Sequence, residues 1–147
     1  TKGIKTMVEN HGFFSQDSDR VERLVNTVAN ENFGWLCDMG NFLCVDENPI
    51  TAIGRGAPYA FYVHAKDFHV KSGMLPSPGD GFFKTRGGNY VRGAIVGHGD
   101  VPVMQCLSAL KRTGYDGYVA IEFEGMEETI TALTIGVANL KRFIEQA

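Results

Sequence analysis

AFYVHAKD, residues 60–67, is an apolar run rich in aromatic and β-branched side chains that ends in polar residues. This composition predicts a buried β-strand. Its last residues include the titratable side chains of His64, Lys66 and Asp67. Because parallel α/β enzymes bind ligands at the carboxyl ends of their strands, these side chains indicate a functional site at that edge of a sheet.

Three further predicted strands end in the same way. They cover residues 4–9, 33–37 and 118–122, and the run quoted first supplies the third strand in chain order, at residues 60–64. The four strands end at or run into residues that commonly bind metals, namely Glu9, Asp38, His64 and Glu122. Four such residues in equivalent places are a stronger signal than any one of them, since a lone strand-end carboxylate is more often a helix cap or a surface charge.

Helical patterns follow the first two strands. Asp17 or Ser18 is the candidate N-cap of the first helix. Its predicted buried face repeats at i, i+3, i+4 and i+7 and consists of Val21, Leu24, Val25 and Val28. Asn48-Pro49 opens a short second helix over residues 50–53, which Gly54 and Gly56 are expected to stop.

The later part of the chain holds two more predicted helices. One begins at Val101-Pro102 and ends before residues 113–117. The last carries an apolar stripe formed by Ile130, Leu133, Val137, Leu140 and Ile144.

Residues 68–97 interrupt the alternation of strand and helix. We expect a loop followed by a β-hairpin, with strands over residues 82–86 and 89–95. Gly87-Gly88 supplies the turn, which needs positive φ. The segment is therefore predicted to be a hairpin insertion over the end of the sheet.

The predicted order is a strand followed by a helix, four times, which implies an α/β fold with a parallel sheet. No shift in composition marks a boundary, so residues 1–147 are expected to form a single domain. Four units are too few for an eight-stranded barrel of about 250 residues. The sheet is therefore either open or half of a barrel.

Composition narrows the class of function. The net charge is −3 and no basic run occurs, which argues against nucleic acid as a partner. No apolar segment reaches the ~18 residues of a membrane helix. Three cysteines without close pairing favour reduced thiols and a cytoplasmic location.

The four strand-end residues offer three carboxylates and one imidazole. This donor set suits a divalent ion such as Mn²⁺, Mg²⁺, Co²⁺ or Zn²⁺. Glu124 shares a strand face with Glu122, because side chains alternate along a strand, and it is an alternative ligand.

Five motifs occur in an order that resembles the sugar phosphate isomerase/epimerase family of xylose isomerase-like (β/α)₈ barrels. They are ENHG at 9–12, DMGNF at 38–42, HAKD at 64–67, GHGDV at 97–101 and GYDGYVAIE at 114–122. Each motif is weak alone, and the ordered set spans nearly the whole chain. The resemblance is to the C-terminal half of that barrel, and it implies that the first four strands lie outside this sequence.

The resemblance also implies roles for residues. Glu9, Asp38, His64 and Glu122 would hold the metal, and Glu9 and Glu122 would also move a proton next to a carbonyl through an enediolate. The substrate would be a sugar or sugar phosphate. Lys66 would bind a substrate oxygen or phosphate, or pair with Asp67 or another nearby carboxylate.

Two more side chains are candidates for substrate binding. His11 follows the first ligand by two residues, and Arg86 lies on the predicted hairpin, where it could meet a phosphorylated or acidic sugar.

Several alternatives remain open at this point. The same metal site could dehydrate an inosose or sugar acid, or the chain could be a non-catalytic half-barrel fragment. A half barrel exposes two strand edges, which favours a homo-oligomer. We expect weak or no activity without the first four strands, because part of the pocket wall would be missing.

Departures from related proteins limit two other readings. The DNA-repair endonucleases of the superfamily have a histidine where this chain has Asn41, and a D-x-H triplet that residues 68–97 do not contain. A metal-dependent phosphodiesterase, which would need at least two metals, is therefore disfavoured. Ketose 3-epimerases carry an arginine shortly after the metal-binding histidine, where this chain has Val70 and Lys71. A free ketohexose is therefore a less favoured substrate.

Overall fold

Four parallel strands form the main sheet, and a helix follows each of them along the chain. The computed structural model describes residues 2–12 and 14–147, so Thr1 and Phe13 of the predicted domain lie outside the described residues. The strands of this sheet are β1 (Thr6–Glu9), β2 (Phe33–Asp38), β3 (Ala60–Ala65) and β7 (Val119–Ile121). They lie in that order and every neighbouring pair is parallel, which confirms the predicted (βα)₄ unit.

The helices are α1 (Ser18–Val28), α2 (Pro49–Gly56), α3 (Val103–Arg112) and α4 (Thr129–Gln146). Neighbouring helices pack against each other in chain order. Between the helices and the sheet lies an apolar core that includes Val21, Trp35, Ile53, Cys106 and Leu110, all nearly inaccessible to solvent. Burial of these side chains is the main force that holds the helices on the sheet.

A second, antiparallel sheet rises from the carboxyl end of β3. It consists of β4 (Asp67–Lys71), β5 (Phe83–Lys84) and β6 (Tyr90–Ala94), in the order β4-β6-β5. The predicted hairpin is confirmed, with shorter strands and with Gly88 at a φ of 96° in its turn.

The prediction of a loop directly after β3 is wrong. Residues 67–71 form β4, and all five pair with β6. Phe68 and Val70 alternate with His69 and Lys71, and this period of two was the signal that sequence reasoning passed over.

The helix ends differ from expectation in two places. Helix α1 begins where predicted, but the Asp17 side chain does not cap it. The Ser18 N–H instead donates to Glu47 Oε2 at 2.9 Å. Helix α2 continues through Gly54, and its N-cap is Asn48, whose Oδ1 accepts from the Thr51 N–H at 3.1 Å. One glycine costs a helix only about 1 kcal/mol, so packing against the core outweighs it.

The outermost helices leave apolar side chains uncovered. Val21 and Val25 of α1 are buried, but Leu24 and Val28 are 40% and 44% exposed, so the predicted four-residue buried face is wrong for half its members. On α4, Leu140 is buried whereas Ile130 is 70% exposed. Helices α1 and α4 stand at the two ends of the row, where no other helix of the described residues packs on their outer sides. None of the helices over residues 2–12 and 14–147 is long and apolar enough to cross a membrane.

Candidate metal centre

The four predicted ligands come together at the carboxyl end of the parallel sheet. Glu9 and Asp38 are the last residues of β1 and β2, His64 is next to last in β3, and Glu122 directly follows β7. Asp38 and His64 are register partners on adjacent strands. One possible ligand atom from each of the four residues lies within 4.8 Å of the others. The parallel register therefore produces the convergence that the spacing predicted.

His64 lies at the centre of this cluster. Its Nδ1 is 3.2 Å from Glu122 Oε2, 3.3 Å from Glu9 Oε1 and 3.7 Å from Asp38 Oδ2. Asp38 is fully buried, whereas the side chains of Glu9 and Glu122 remain partly accessible. The cluster is thus closed beneath Asp38 and open toward solvent between the two glutamates.

The charges perturb one another strongly. The carboxylates of Asp38 and then Glu9, outweighing burial, raise the pKa of His64 to about 10. Burial raises the pKa of Asp38. Burial also acts to raise the pKa of Glu122, but the Lys66 ammonium and other neighbours outweigh it and hold that pKa below its usual value. Perturbed groups that share a cleft are typical of functional sites.

Two polar atoms at the centre of the cluster mark where a cation fits. Within the described ranges, Asp38 Oδ2 and His64 Nδ1 are buried and make no hydrogen bond of good geometry, although they face each other at 3.7 Å. Buried polar atoms are rarely left unpaired, and a bound ion is one explanation for such atoms. Three carboxylates and one imidazole match the donors that a hard or borderline divalent ion prefers. The residues present therefore fit a divalent metal.

The backbone around Asp38 directs its carboxylate. Asp38 Oδ1 accepts from the N–H groups of Gly40 and Asn41 at 2.8 and 2.7 Å. Its other oxygen is left facing His64. The turn after β2 therefore occupies one oxygen and leaves the second available to an ion.

Lys66 is buried beside the cluster. Its Nζ is 2.8 Å from Glu124 Oε2 and 3.2 Å from Glu122 Oε2. Lys66 therefore pairs with nearby carboxylates, as expected, but Asp67 is not one of them. The carboxylate of Asp67 accepts instead from four backbone N–H groups, those of Phe68, Gly97, Gly99 and Val101.

Glu124, the alternative ligand, stands outside the four-residue group and pairs with Lys66. The sequence also contains a D-x-H triplet, Asp67-Phe68-His69, which begins one residue before residues 68–97. Asp67 is occupied by backbone N–H groups, so this triplet adds no ligand to the cluster. In the part of the chain that the structure describes, the group of at least three possible ligands is formed by Glu9, Asp38, His64 and Glu122.

The three predicted substrate-binding residues line one cavity of about 430 Å³. His11, Lys66 and Arg86 share it with residues that include Phe68 and Phe83. Arg86 is not a free cation, because its guanidinium makes two hydrogen bonds to Asp17 at 2.7 and 2.8 Å. The cavity lies next to the cluster, since Lys66 reaches both.

Sequence reasoning missed Asn10 and the contact that Asn41 makes in the site. Asn41 stands where the related endonucleases have a histidine, its Nδ2 lies 3.5 Å from Glu9 Oε1, and the residue lines the cavity. Asn10 is fully buried beneath the cluster. The available signal was position, since each asparagine lies one to three residues after a predicted ligand.

Known proteins resemble this chain in sequence. The sequence signature of one family, described as the xylose isomerase-like TIM barrel, matches residues 1–143. Inosose dehydratase from Lacticaseibacillus casei is 23% identical over 140 residues, covering 83% of this chain and 41% of the relative.

Solved structures resemble the fold. A xylose isomerase-like TIM barrel protein from Mycobacterium smegmatis in complex with magnesium has a TM-score of 0.73 at 18% identity, covering 97% of this chain and 45% of that one. A D-tagatose 3-epimerase-like protein has a TM-score of 0.68 at 21% identity, covering 97% and 48%. The chain thus spans less than half the length of these relatives, and its four βα units correspond to half of a barrel.

Proposed function

Because the chain belongs to the xylose isomerase-like TIM barrel family, we propose that it carries the metal site of an enzyme that acts on a sugar or sugar phosphate. The proposed reaction is isomerisation or epimerisation, by transfer of a proton next to a carbonyl through an enediolate. The observation that carries this proposal is the convergence of Glu9, Asp38, His64 and Glu122 within 4.8 Å at the carboxyl end of the parallel sheet.

In this proposal the same four residues hold a divalent ion, which would be Mn²⁺, Mg²⁺, Co²⁺ or Zn²⁺. The magnesium in the Mycobacterium smegmatis structure supports the class of ion and leaves its identity open. Such an ion would stabilise the negative charge that develops on the oxygens of an enediolate.

Glu9 and Glu122 are proposed to move the proton. They belong to the two opposite edges of the four-strand order, so their carboxylates approach the cleft from opposite sides. One would accept the proton from carbon, and the other would return a proton on the far face or at the neighbouring carbon. The lowered pKa of Glu122 keeps its carboxylate ionised near neutral pH, as an acceptor must be.

Substrate binding is proposed to involve Lys66, His11 and Arg86. The buried ammonium of Lys66 lies between the cluster and the cavity, where it can donate to a substrate hydroxyl or phosphate oxygen. Arg86 would contribute only by exchanging its contacts with Asp17 for contacts with an anionic substrate.

Dehydration is the second candidate, and the similarity to inosose dehydratase favours it. Removal of water next to a carbonyl begins with the same transfer of a proton from carbon to a carboxylate. Glu9 or Glu122 would serve as the base, and only the later loss of hydroxide distinguishes the two reactions. A non-catalytic half barrel is the remaining alternative.

The surroundings of the enzyme are also part of the proposal. Residues 1–147 would act as one domain and assemble into a homo-oligomer through the uncovered sides of α1 and α4. A small sugar is the proposed partner rather than nucleic acid, given the net charge of −3. The free thiols of Cys37, Cys44 and Cys106 fit a reducing compartment and support a cytoplasmic location.

Deuterium exchange tests the shared chemistry. The chain with Mn²⁺ would be incubated in D₂O with a ketohexose, a ketose phosphate and an inosose, and loss of the proton signal next to the carbonyl followed by NMR. Because part of the pocket wall is expected to be missing, we expect slow exchange in one of them, which falls to the background rate in Glu122→Gln and is unchanged in Glu127→Gln, whose carboxylate pairs with Arg92 outside the cluster.

The product then separates the candidates. An epimer or isomer supports the first reaction, and a product that has lost water supports the dehydratase. Absence of exchange in all three substrates, with Mn²⁺ bound, would contradict both reactions for this chain and leave the non-catalytic half barrel.

A further inference from the structure

Asn10 lies fully buried beneath the cluster and touches Asp38 at two points. Its Nδ2 donates to the Asp38 carbonyl oxygen at 2.9 Å, and its Oδ1 accepts from the Asp38 N–H at 2.9 Å. Oδ1 also accepts from Trp35 Nε1 at 3.0 Å. One side-chain amide thus holds both backbone polar groups of a single predicted ligand.

These bonds continue the sheet past the end of β1. The ladder between β1 and β2 ends at the pair Glu9 and Leu36. Two residues farther along β2, the Asn10 side chain supplies the donor and acceptor that a strand backbone would have supplied. Glu9 directly precedes Asn10 in the chain. Asn10 therefore fixes the position of Asp38 along the strand direction relative to Glu9.

The Trp35 indole sets the orientation of this amide. An indole N–H can only donate, so it requires the oxygen of Asn10 on its side. The amide nitrogen is then directed to the Asp38 carbonyl. An aspartate at position 10 could not donate that bond while ionised, and an apolar residue could make none of the three.

We propose that Asn10 is a positioning residue that sets the metal affinity of the site by holding Asp38 in register with Glu9. The proposal rests on the metal site proposed above. With the Asp38 backbone fixed by Asn10 and its Oδ1 fixed by the turn, Oδ2 is held toward His64. Hydrogen-bonding groups behind metal ligands typically account for about 10–100-fold in metal affinity.

Calorimetric titration with MnCl₂ tests the role of Asn10. The variants are Asn10→Leu, which keeps the approximate volume, and Asn10→Ala, which does not. The matched control is Asn139→Ala, since Asn139 Nδ2 also makes a buried bond to a backbone carbonyl, that of Val96, at 2.9 Å. Thermal unfolding in EDTA measures the stability of each protein without metal.

All three variants are expected to be less stable than the parent in EDTA, because each loses buried hydrogen bonds. Only the Asn10 variants are expected to bind Mn²⁺ about 10–100-fold more weakly. If Asn10→Ala does not fold, Asn10→Leu decides the question, with its folding checked by circular dichroism. If neither folds at the titration temperature while Asn139→Ala does, Asn10 is a folding residue and the proposal is overturned.

Equal Mn²⁺ affinity in the parent chain and a folded Asn10 variant would overturn the role of Asn10 and leave the metal site standing. Equal weakening in Asn139→Ala would also overturn it, because the effect would then follow stability alone. A parent chain that binds no Mn²⁺ would remove the proposed function together with this inference. The outcomes are therefore distinguishable.

Discussion

At the scale of single residues, the unusual feature is a histidine held among three carboxylates. With its pKa raised to about 10, His64 is protonated at neutral pH in the metal-free protein. A metal binds only the neutral imidazole, so the ion must displace a proton. Proton release on binding is therefore a direct consequence of the cluster.

Mn²⁺ binding near pH 8 is expected to release about one proton per ion, because His64 loses its proton to the ion. Calorimetric titration in two buffers of different ionisation enthalpy measures this number. Binding of Mn²⁺ to the parent chain without release of a proton would contradict this prediction.

The same pKa makes the stability of the metal-free protein depend on pH. The folded value of about 10 lies above the ordinary 6.5, so the stabilising contribution of His64 is complete below pH 6.5 and is lost as pH rises through 10. The free energy of unfolding is expected to fall by up to about 1.4 kcal/mol per pH unit in this window. Urea unfolding in EDTA at several pH values checks this, and a slope as steep in His64→Gln would contradict it.

Residue type and position together made the four-residue cluster predictable. Glu9, Asp38, His64 and Glu122 end strands whose apolar composition is clear in the sequence. Asn10 was not predictable in the same way, because asparagine is common after strands and its burial depends on the tertiary contact with Asp38 and Trp35.

At the scale of elements, hydrogen bonds from the hairpin tip, residues 85–89, hold the antiparallel sheet over the cavity. Asp46 accepts from Thr85 Oγ1 at 2.8 Å, from Asn89 Nδ2 at 2.8 Å and from the Gly87 N–H at 2.6 Å. The Arg86 N–H donates to the Cys44 carbonyl at 2.9 Å. The hairpin wall of the cavity therefore depends on residues 44–46, between β2 and α2.

Asp46→Ala is expected to loosen the hairpin tip and leave metal affinity unchanged, since Asp46 is not part of the cluster. Loss of these bonds costs about 1–3 kcal/mol, which corresponds to roughly 5–150-fold faster hydrogen exchange at the Thr85 and Arg86 amides. NMR-detected exchange measures it, with the exposed Asp80→Ala as control. Unchanged protection in Asp46→Ala would show that other contacts hold the hairpin.

The hairpin was predictable and its attachment was not. Alternating residues on both sides of Gly87-Gly88 indicate two strands joined by a turn. That Asp17 and Asp46 receive the tip depends on contacts between residues about 40 to 70 positions apart, which local patterns do not carry.

At the scale of the whole molecule, the half barrel ends in two open sides. Apolar residues are exposed on both, including Leu24 and Val28 on one side and Tyr118, Ile130 and Val137 on the other. The sequence pattern predicted that these helices are amphipathic. It did not tell what covers them, because periodicity records which residues are apolar and not which neighbour they meet.

The chain is expected to self-associate through these two sides, because unpaired strands and exposed apolar side chains favour contact between copies. Sedimentation velocity measures the assembly. The double variant Tyr118→Lys/Ile130→Lys is expected to shift the assembly toward monomer. Met74→Lys, in an exposed loop of residues 68–97, is expected to have no effect. A parent chain that sediments as a monomer at high concentration would contradict this prediction.

The central claim is that four strand ends build one divalent-metal site, and metal content per chain tests it most directly. The parent chain, His64→Ala, Glu122→Gln and the control His69→Ala would be equilibrated with Mn²⁺, desalted and analysed by plasma mass spectrometry. The account predicts one ion per chain in the parent and in His69→Ala, and almost none in the other two. No bound metal in the folded parent, or equal metal in all four proteins, would contradict it.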